Sequence, residues 1–145
     1  MIIGIGNDHV AVELKSALKE YIASLGHQVI DYGTNSNESI NYPVVAKKVS
    51  EEIGREIEYG ILLCGTGIGM SIAANKTQGI RAALCGDPYS AKMAKEHNNA
   101  QIICLGAKTT TVELAKIIVE NWLNSEYQGG RHQIRLDLIR EYEGE

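Results

Sequence analysis

Apolar residues follow two alternating patterns along this chain: short continuous runs, and stretches in which they recur three or four residues apart. The continuous runs predict buried strands, because a strand covered on both faces needs no polar alternation. These strands are expected at residues 2–6, 28–32, 61–63, 81–85 and 102–106. The spaced stretches predict helices. These are expected at residues 10–25, 88–96, 111–125 and 131–142, with two more opening at residues 42 and 71.

Strands that alternate with helices predict an α/β fold, a parallel sheet with helices on both faces. Residues 1–145 should form one domain, because the chain has neither an internal repeat nor a low-complexity segment. The last predicted helix, residues 131–142, carries Ile134, Leu138 and Ile139, which need cover. We therefore expect this helix to pack on a partner subunit of a homodimer.

Composition narrows the possible partners and location. The chain has 14 Lys and Arg against 18 Asp and Glu, a formal net charge of −4, and no dense basic stretch, so no nucleic-acid surface is expected. The first six residues fit no secretory signal, and no apolar run is long enough to span a membrane. Three widely spaced cysteines fit neither a disulfide framework nor a zinc site. We expect a cytoplasmic protein that binds no metal.

The stretch from residue 60 to residue 76 joins a predicted strand, three glycines and the start of a helix. Cys64 ends the apolar run, and Gly65, Gly67 and Gly69 let the backbone turn tightly and approach a ligand. The free N–H groups of the following helix would form an anion site, and a thiol facing them should lose its proton more easily. The alternative is an inert buried cysteine, the commoner fate of this residue. The glycine turn favours the reactive interpretation.

Two hydroxyl residues add to this stretch. Thr66 can act in the site or merely cap the helix, and Ser71 can act there or merely pack as a small residue against the sheet. Cys85 and Cys104 have no glycine turn beside them, so both are predicted to lie in the core.

Asp8 and His9 follow the first predicted strand directly. If the strand order is 2-1-3-4-5, ligands bind beyond the carboxyl ends of strands one and three, where the order reverses. Asp8 and His9 would then face Cys64 across one crevice. An Asp-His pair alone is more typical of a helix cap, but this position favours a site.

His97 and Asn98 present a geometric problem. They lie between a helix and the fifth strand, so they should be at the amino end of the sheet, opposite Cys64. They can simply end a helix, where both residue types are favoured. If His97 works with Cys64, a second chain must bring it there.

Arg131 and Arg135 lie four residues apart and hence on one helical face. Two guanidinium groups suit a phosphate. The alternative is two exposed surface arginines, with Asp137 as a possible partner of either.

Eight short motifs occur in order along nearly the whole chain. They are Asp8-His9, Val29-Ile30-Asp31-Tyr32-Gly33-Thr34, Tyr42-Pro43, Cys64-Gly65-Thr66-Gly67-Ile68-Gly69, Ser71-Ile72-Ala73-Ala74-Asn75-Lys76, Gly79-Ile80-Arg81-Ala82, Glu96-His97-Asn98 and Gly129-Gly130-Arg131-His132-Gln133. With them the chain closely resembles the type B ribose-5-phosphate isomerase family, which also contains the galactose-6-phosphate isomerase subunits.

The resemblance implies an aldose–ketose isomerase of phosphorylated pentoses that needs no metal or cofactor. It implies a flavodoxin-like, Rossmann-like three-layer sandwich and a dimer, sometimes a dimer of dimers, with active sites shared between subunits. It also implies catalytic roles: Cys64 as the base that moves a proton between C1 and C2, and Thr66 as the group assisting transfer between the two oxygens. Asp8 and His97 would hold and open the sugar ring.

The same resemblance implies a set of substrate contacts. The backbone of Gly65, Gly67, Ile68 and Gly69, together with Ser71, would steady the enediolate. Asn98 would contact the sugar, while His9, Arg131 and Arg135 would bind the phosphate.

Two positions depart from the family pattern. Lys108 stands where many members carry a phosphate-binding arginine, and Ala11 stands where a glycine is common. Lysine keeps the charge but loses the bidentate fork. Lys108 is therefore expected to help bind phosphate, with consequences for phosphate affinity or for the preferred sugar length.

Two rival functions stay open on the sequence. The first is isomerisation of a six-carbon sugar phosphate, allose-6-phosphate or galactose-6-phosphate. The second is a non-catalytic phosphate-binding module that uses the glycine turn only as an anion cradle. A lone chain that carries Cys64, His97 and Arg131 favours the pentose enzyme of the pentose phosphate pathway.

Overall fold

The computed structural model describes residues 1–144, and its elements alternate as the sequence predicts. In chain order they are β1 (Ile2–Asn7), α1 (Val12–Ser24), β2 (Gln28–Asp31), α2 (Tyr42–Glu52), β3 (Tyr59–Cys64), α3 (Ile68–Ala74), β4 (Ala82–Leu84), α4 (Pro88–Glu96), β5 (Ile102–Gly106), α5 (Val112–Leu123) and α6 (Arg131–Tyr142). One boundary matters for the site. The third helix begins at Ile68 rather than at Ser71, because Gly67 adopts a left-handed conformation and starts the helix at once.

The five strands form one parallel sheet in the order β2-β1-β3-β5-β4. The predicted α/β sandwich is confirmed, but the predicted order 2-1-3-4-5 is wrong at one edge. All five residues of β5 are buried, which suits an interior strand. β4 has only three residues, and its Leu84 is largely exposed, so the short strand takes the edge.

The positions of β4 and β5 in the sheet also determine the face on which α4 lies. The connection from β4 to β5 turns back toward β3, and a right-handed crossover then places α4 on the same face as α1. Accordingly α1, α4 and α5 pack on one face, around Trp122, Leu18 and Ile118. α2 and α3 cover the other face, around Val49, Met70 and Leu62.

The outer edge of β4 is closed by a side chain of α3. The amide of Asn75 accepts a hydrogen bond from the Ala82 N–H at 2.8 Å and donates one to the Ala82 carbonyl at 2.9 Å. Asn75 therefore pairs with this residue much as a neighbouring strand would.

The sixth helix packs on the rest of the chain through His132 and Leu136, which are both buried. Its other apolar residues, Ile134, Leu138 and Ile139, are between 46% and 65% exposed. The helix thus retains an apolar face that this chain alone does not cover. Within residues 1–144, no helix has the length and apolarity needed to cross a membrane.

Candidate active site

Cys64 lies at the carboxyl edge of the sheet, at the end of a buried strand. It pairs in register with Gly106 of β5, and only 6% of the residue is exposed. Its Sγ accepts a hydrogen bond from the Gly67 N–H at 3.1 Å. The turn therefore folds back over the thiol and aims a backbone donor at it.

The three glycines of the turn are there for different reasons. Gly67 has φ of +80°, and a Cβ there would lie 2.7 Å from Cδ1 of Leu84. A Cβ on Gly69 would lie 2.6 Å from the Tyr42 ring, which covers this part of the turn. A Cβ on Gly65 would meet no atom within 4 Å. Gly67 and Gly69 are thus required by the fold, whereas Gly65 faces open space next to Cys64.

Asp8 and His9 lie on the neighbouring strand end, as predicted. The Asp8 N–H donates to the Leu63 carbonyl at 3.0 Å, which places Asp8 one residue from Cys64 along β3. Asp8 is buried, and its Oδ1 accepts a hydrogen bond from the Val10 N–H at 2.9 Å within the loop before α1. The N-cap of α1 is Ala11 and receives no side-chain hydrogen bond, so the capping interpretation is wrong for Asp8. Nδ1 of His9 faces the Ile40 N–H at 3.4 Å.

Lys108 reaches the same edge because β5, rather than β4, adjoins β3. Backbone N–H groups of Ala107 and Lys108 donate to the carbonyls of Cys64 and Gly65 at 2.8 and 2.9 Å. The loop after β5 therefore lies directly against the glycine turn, with the exposed Lys108 beside it.

The two predicted hydroxyl residues both make local hydrogen bonds. Thr66 is exposed, and its Oγ1 accepts a hydrogen bond from the Ile68 N–H at 3.2 Å. Ser71 Oγ donates to the Ile68 carbonyl at 2.8 Å, inside its own helix. The N-cap position of α3 is Gly67, so Thr66 makes a local turn contact rather than a helix cap, and its side chain stays exposed.

His97, Asn98, Arg131 and Arg135 come together at the opposite, amino edge. They line a cavity of about 320 Å³ between the end of α4 and α6. These four residues span more than thirty sequence positions, yet they form one cluster within a single chain.

A residue without a predicted role, His132, supports this second cluster. Its ring stacks on that of His97, with centroids 4.2 Å apart and planes inclined by 16°. Burial lowers the pKa of His132, and the neighbouring His97, Arg131 and Arg135 lower it further. A neutral ring thus backs His97. The sequence offered no spacing signal for this contact, since it joins two separate helices.

The two clusters are separated by the length of the sheet. β3 runs from Tyr59 at the amino edge to Cys64 at the carboxyl edge, roughly 16 Å at about 3.3 Å per residue. The sequence-based placement of His97 opposite Cys64 is confirmed. Within residues 1–144, no group of three or more His, Cys, Asp and Glu side chains is arranged to hold a metal ion.

A buried lysine and an asparagine hold the loop after β2 against the end of β1, and neither had a predicted role. Asn7 exchanges hydrogen bonds with the backbone of Thr34, and the buried Lys15 donates to the Thr34 carbonyl at 2.7 Å. Nζ of Lys15 also lies 3.0 Å from Oδ2 of Asp31. Burial alone would raise the pKa of Asp31, but hydrogen bonds from the Gly33 N–H and two lysines hold it below its ordinary value. This loop is therefore fastened by charge as well as by backbone contacts.

Known proteins resemble this chain both in sequence and in fold. The family model described as Ribose/Galactose Isomerase matches residues 3–139. The chain is 46% identical to the ribose-5-phosphate isomerase B of Escherichia coli (94% of this chain, 93% of that one). It is also 46% identical to the D-erythrulose-4-phosphate isomerase of Pectobacterium atrosepticum (97% and 94%). The solved structure of Clostridium thermocellum ribose-5-phosphate isomerase B superposes with a TM-score of 0.97 at 48% identity, covering 99% and 98% of the two chains. This chain belongs to the ribose/galactose isomerase family.

Proposed function

We propose that the chain interconverts ribose-5-phosphate and ribulose-5-phosphate through an enediolate, in the cytoplasm, where its three free cysteines stay reduced. One observation carries the proposal. In a family of sugar isomerases, this member holds a thiol against a turn of backbone donors, with Gly67 N–H at 3.1 Å from the Cys64 sulfur. A base next to preorganised donors is what proton transfer beside a carbonyl requires.

The residues at the carboxyl edge divide the chemistry between them. The Cys64 thiolate removes the proton from C2 of the open-chain aldose, and the electron pair moves through C1 to the carbonyl oxygen. N–H groups of the turn from Gly65 to Gly69 stabilise the oxyanion that develops. The Thr66 hydroxyl passes a proton between the two oxygens, and Cys64 returns its proton to C1. No atom is gained or lost overall.

Ribose-5-phosphate is a closed ring in solution, so a second set of residues must open it. His97 and Asp8 would move the proton between the ring oxygen and the hydroxyl on C1. Asp8 lies beside Cys64, whereas His97 lies at the far edge of the same chain. We therefore propose that His97, Asn98, Arg131 and Arg135 serve the Cys64 site of a second chain.

Exposed apolar surface next to both clusters supports this homodimer. Ile134 and Leu138 extend from α6 beside the amino-edge cluster, while Ile68, Ile72 and Leu84 are exposed beside the glycine turn. A two-fold contact that brings these surfaces together would cover both and complete two sites at once.

Subunit complementation tests the shared site. Cys64→Ala and His97→Asn homodimers should each be inactive, but mixing them should restore activity after subunit exchange. The heterodimer then contains one site with both native residues. Proven heterodimers without activity would place both residues in one site of one chain.

A panel of substrates tests the reaction itself. Ribose-5-phosphate should be turned over with a higher kcat/KM than allose-6-phosphate or galactose-6-phosphate. Erythrulose-4-phosphate belongs in the panel, because a relative of equal identity is named for that substrate. A preference for the four-carbon sugar would replace the proposed substrate and leave the reaction class intact.

A non-catalytic phosphate module is the remaining alternative. Such a protein would bind ribose-5-phosphate without producing ribulose-5-phosphate, and Cys64→Ala would leave its binding unchanged. Turnover by the native chain excludes this alternative directly.

A further inference from the structure

Arg81 lies behind the His97 cluster and holds the turn that carries it. Its Nε donates to the Asn98 carbonyl at 2.8 Å, and its Nη2 donates to the Asn99 carbonyl at 3.0 Å. Two neighbouring carbonyls are thus held by two parallel donors of one rigid guanidinium. A lysine would keep the charge but lacks this planar, rigid fork.

The turn held by Arg81 contains a residue in the left-handed conformation. Asn99 has φ of +47°, and within residues 1–144 it is the only residue other than glycine with a positive φ. Asparagine tolerates this conformation better than most residues, but it persists only where the surroundings impose it. Here the Asn99 N–H donates back to the Lys95 carbonyl at 3.1 Å, and the Asn98 and Asn99 carbonyls both accept from Arg81.

The same guanidinium also connects the turn to α6. Its Nη1 lies 3.5 Å from the Gly79 carbonyl, which also accepts a hydrogen bond from the Gln101 amide at 2.9 Å. The Gly79 N–H donates to Oε2 of Glu143, just after the end of α6, at 2.8 Å. Arg81 therefore adjoins both elements that wall the cavity, the turn after α4 and the helix of Arg131 and Arg135.

Charge pairing does not account for Arg81. Within residues 1–144, no carboxylate oxygen lies within 4.0 Å of it, so its cation faces carbonyl oxygens. Burial lowers the pKa of Arg81, as Arg140 does, while Tyr127 and Glu143 act in the opposite direction. A desolvated cation committed to backbone oxygens fixes geometry more than it adds stability.

We propose that Arg81 is a positioning residue, which sets His97 and Asn98 in register with Arg131 and Arg135 without touching the substrate. This inference rests on the proposed roles of His97 and the two arginines. Displacing a ring-opening group by a fraction of an ångström lowers kcat while leaving phosphate binding largely unchanged.

The test compares Arg81→Lys with Arg55→Lys, an exposed arginine at the same edge of the sheet. Arg81→Lys should lower kcat for ribose-5-phosphate by roughly 10- to 100-fold, with KM within about threefold of the native value. Arg55→Lys should match the native chain in both. Imidazole signals in NMR spectra give a readout apart from activity: those of His97 and His132 should shift in Arg81→Lys, while those of His9 and His27 stay in place.

Each other outcome overturns one specific claim. Unmoved His97 signals in a folded Arg81→Lys protein would refute the positioning role, whatever the value of kcat. Shifted His97 signals with native kcat would instead refute the proposed role of His97. If Arg81→Lys does not fold, the comparison is made in an Asn99→Gly background. Glycine relieves the positive φ there, and the same differences are expected.

Discussion

The two edges of the sheet hold their functional groups by different means. At the carboxyl edge, backbone geometry places the groups: a strand end, a left-handed glycine and a sulfur that accepts an N–H. At the amino edge, side chains place other side chains: one imidazole stacks on another, and an arginine fork binds two carbonyls of the turn after α4. A local sequence motif therefore encodes the first edge, whereas the second exists only once distant segments pack. Substitutions at the two edges should therefore have different effects on catalysis, binding and stability.

The largest effect is expected at the carboxyl edge. Cys64→Ala should reduce kcat by at least about 100-fold and up to about 10,000-fold, the usual contribution of a general base. Its ribose-5-phosphate affinity should stay near native, because the proposed phosphate contacts are made by other side chains. Steady-state kinetics and equilibrium binding measure the two quantities separately.

The two other cysteines serve as matched controls. Cys85 and Cys104 are buried, and burial raises the pKa of the Cys85 thiol to about 12. Cys85→Ala and Cys104→Ala should lower the free energy of unfolding and change kcat little. An equal loss of kcat in all three variants would contradict the assignment of Cys64.

At the amino edge the effect should appear in binding. Arg131→Ala should raise KM for ribose-5-phosphate about 10- to 100-fold, as expected for losing one charge-assisted hydrogen bond of about 1.5–3 kcal/mol. KM for unphosphorylated ribose should change much less. Arg140→Ala, on the same helix but outside the cavity, is the control. Equal effects on both sugars would show that Arg131 does not bind the phosphate.

The backbone construction of the carboxyl edge can be tested through two glycines. Gly67→Ala should lower the free energy of unfolding by at least about 1–2 kcal/mol, the cost of a left-handed alanine, and the contact with Leu84 adds to it. Gly65→Ala should be close to native in stability, because its Cβ would meet open space. Urea unfolding measures both variants. Equal losses would mean that the turn is not constrained as described.

A stability effect that depends on pH is expected at a lysine near the amino edge. Lys95 is 2% exposed, and its Nζ lies 3.9 Å from the Tyr59 ring centroid and 4.7 Å from that of Trp122. Burial lowers the pKa of Lys95 to about 8. An unfolded lysine titrates near pH 10.4, so between these pH values the unfolded chain binds more protons, and stability rises with pH.

Urea unfolding between pH 7 and pH 10 checks this dependence. The native chain should gain about 1–3 kcal/mol over this range relative to Lys95→Met. Lys92→Met, a half-exposed lysine on the same helix, should follow the native curve. Parallel curves for the native chain and Lys95→Met would contradict the lowered pKa of Lys95.

The sequence predicted the elements and the carboxyl-edge site well, for a physical reason. Strand periodicity, glycine freedom and the meeting of parallel strand ends are local properties or follow directly from topology. Asp8 and Cys64 could thus be paired without any structure. The start of α3 was misplaced by three residues, because a left-handed Gly67 shortens the turn in a way that apolar spacing does not reveal.

What the sequence could not predict depended on competition between segments. β4 and β5 are both apolar runs, and only their relative length and burial decide which one adjoins β3. The stack of His132 on His97 and the contacts of Arg81 join residues that share no periodicity. Arg81 did stand in a recognised motif, but no rule of spacing connected it to the turn at Asn99.

The side chain of Asn75 affects how these molecules behave at high concentration. An open strand edge is a template for adding strands from other chains, and such growth continues into fibres instead of stopping at a pair. The amide of Asn75 occupies the N–H and carbonyl of Ala82, where a sixth strand would begin to pair. Exposed Leu84 and Ile72 near that edge would otherwise favour such growth. One asparagine at the end of a two-turn helix thereby disfavours association through this edge of the sheet.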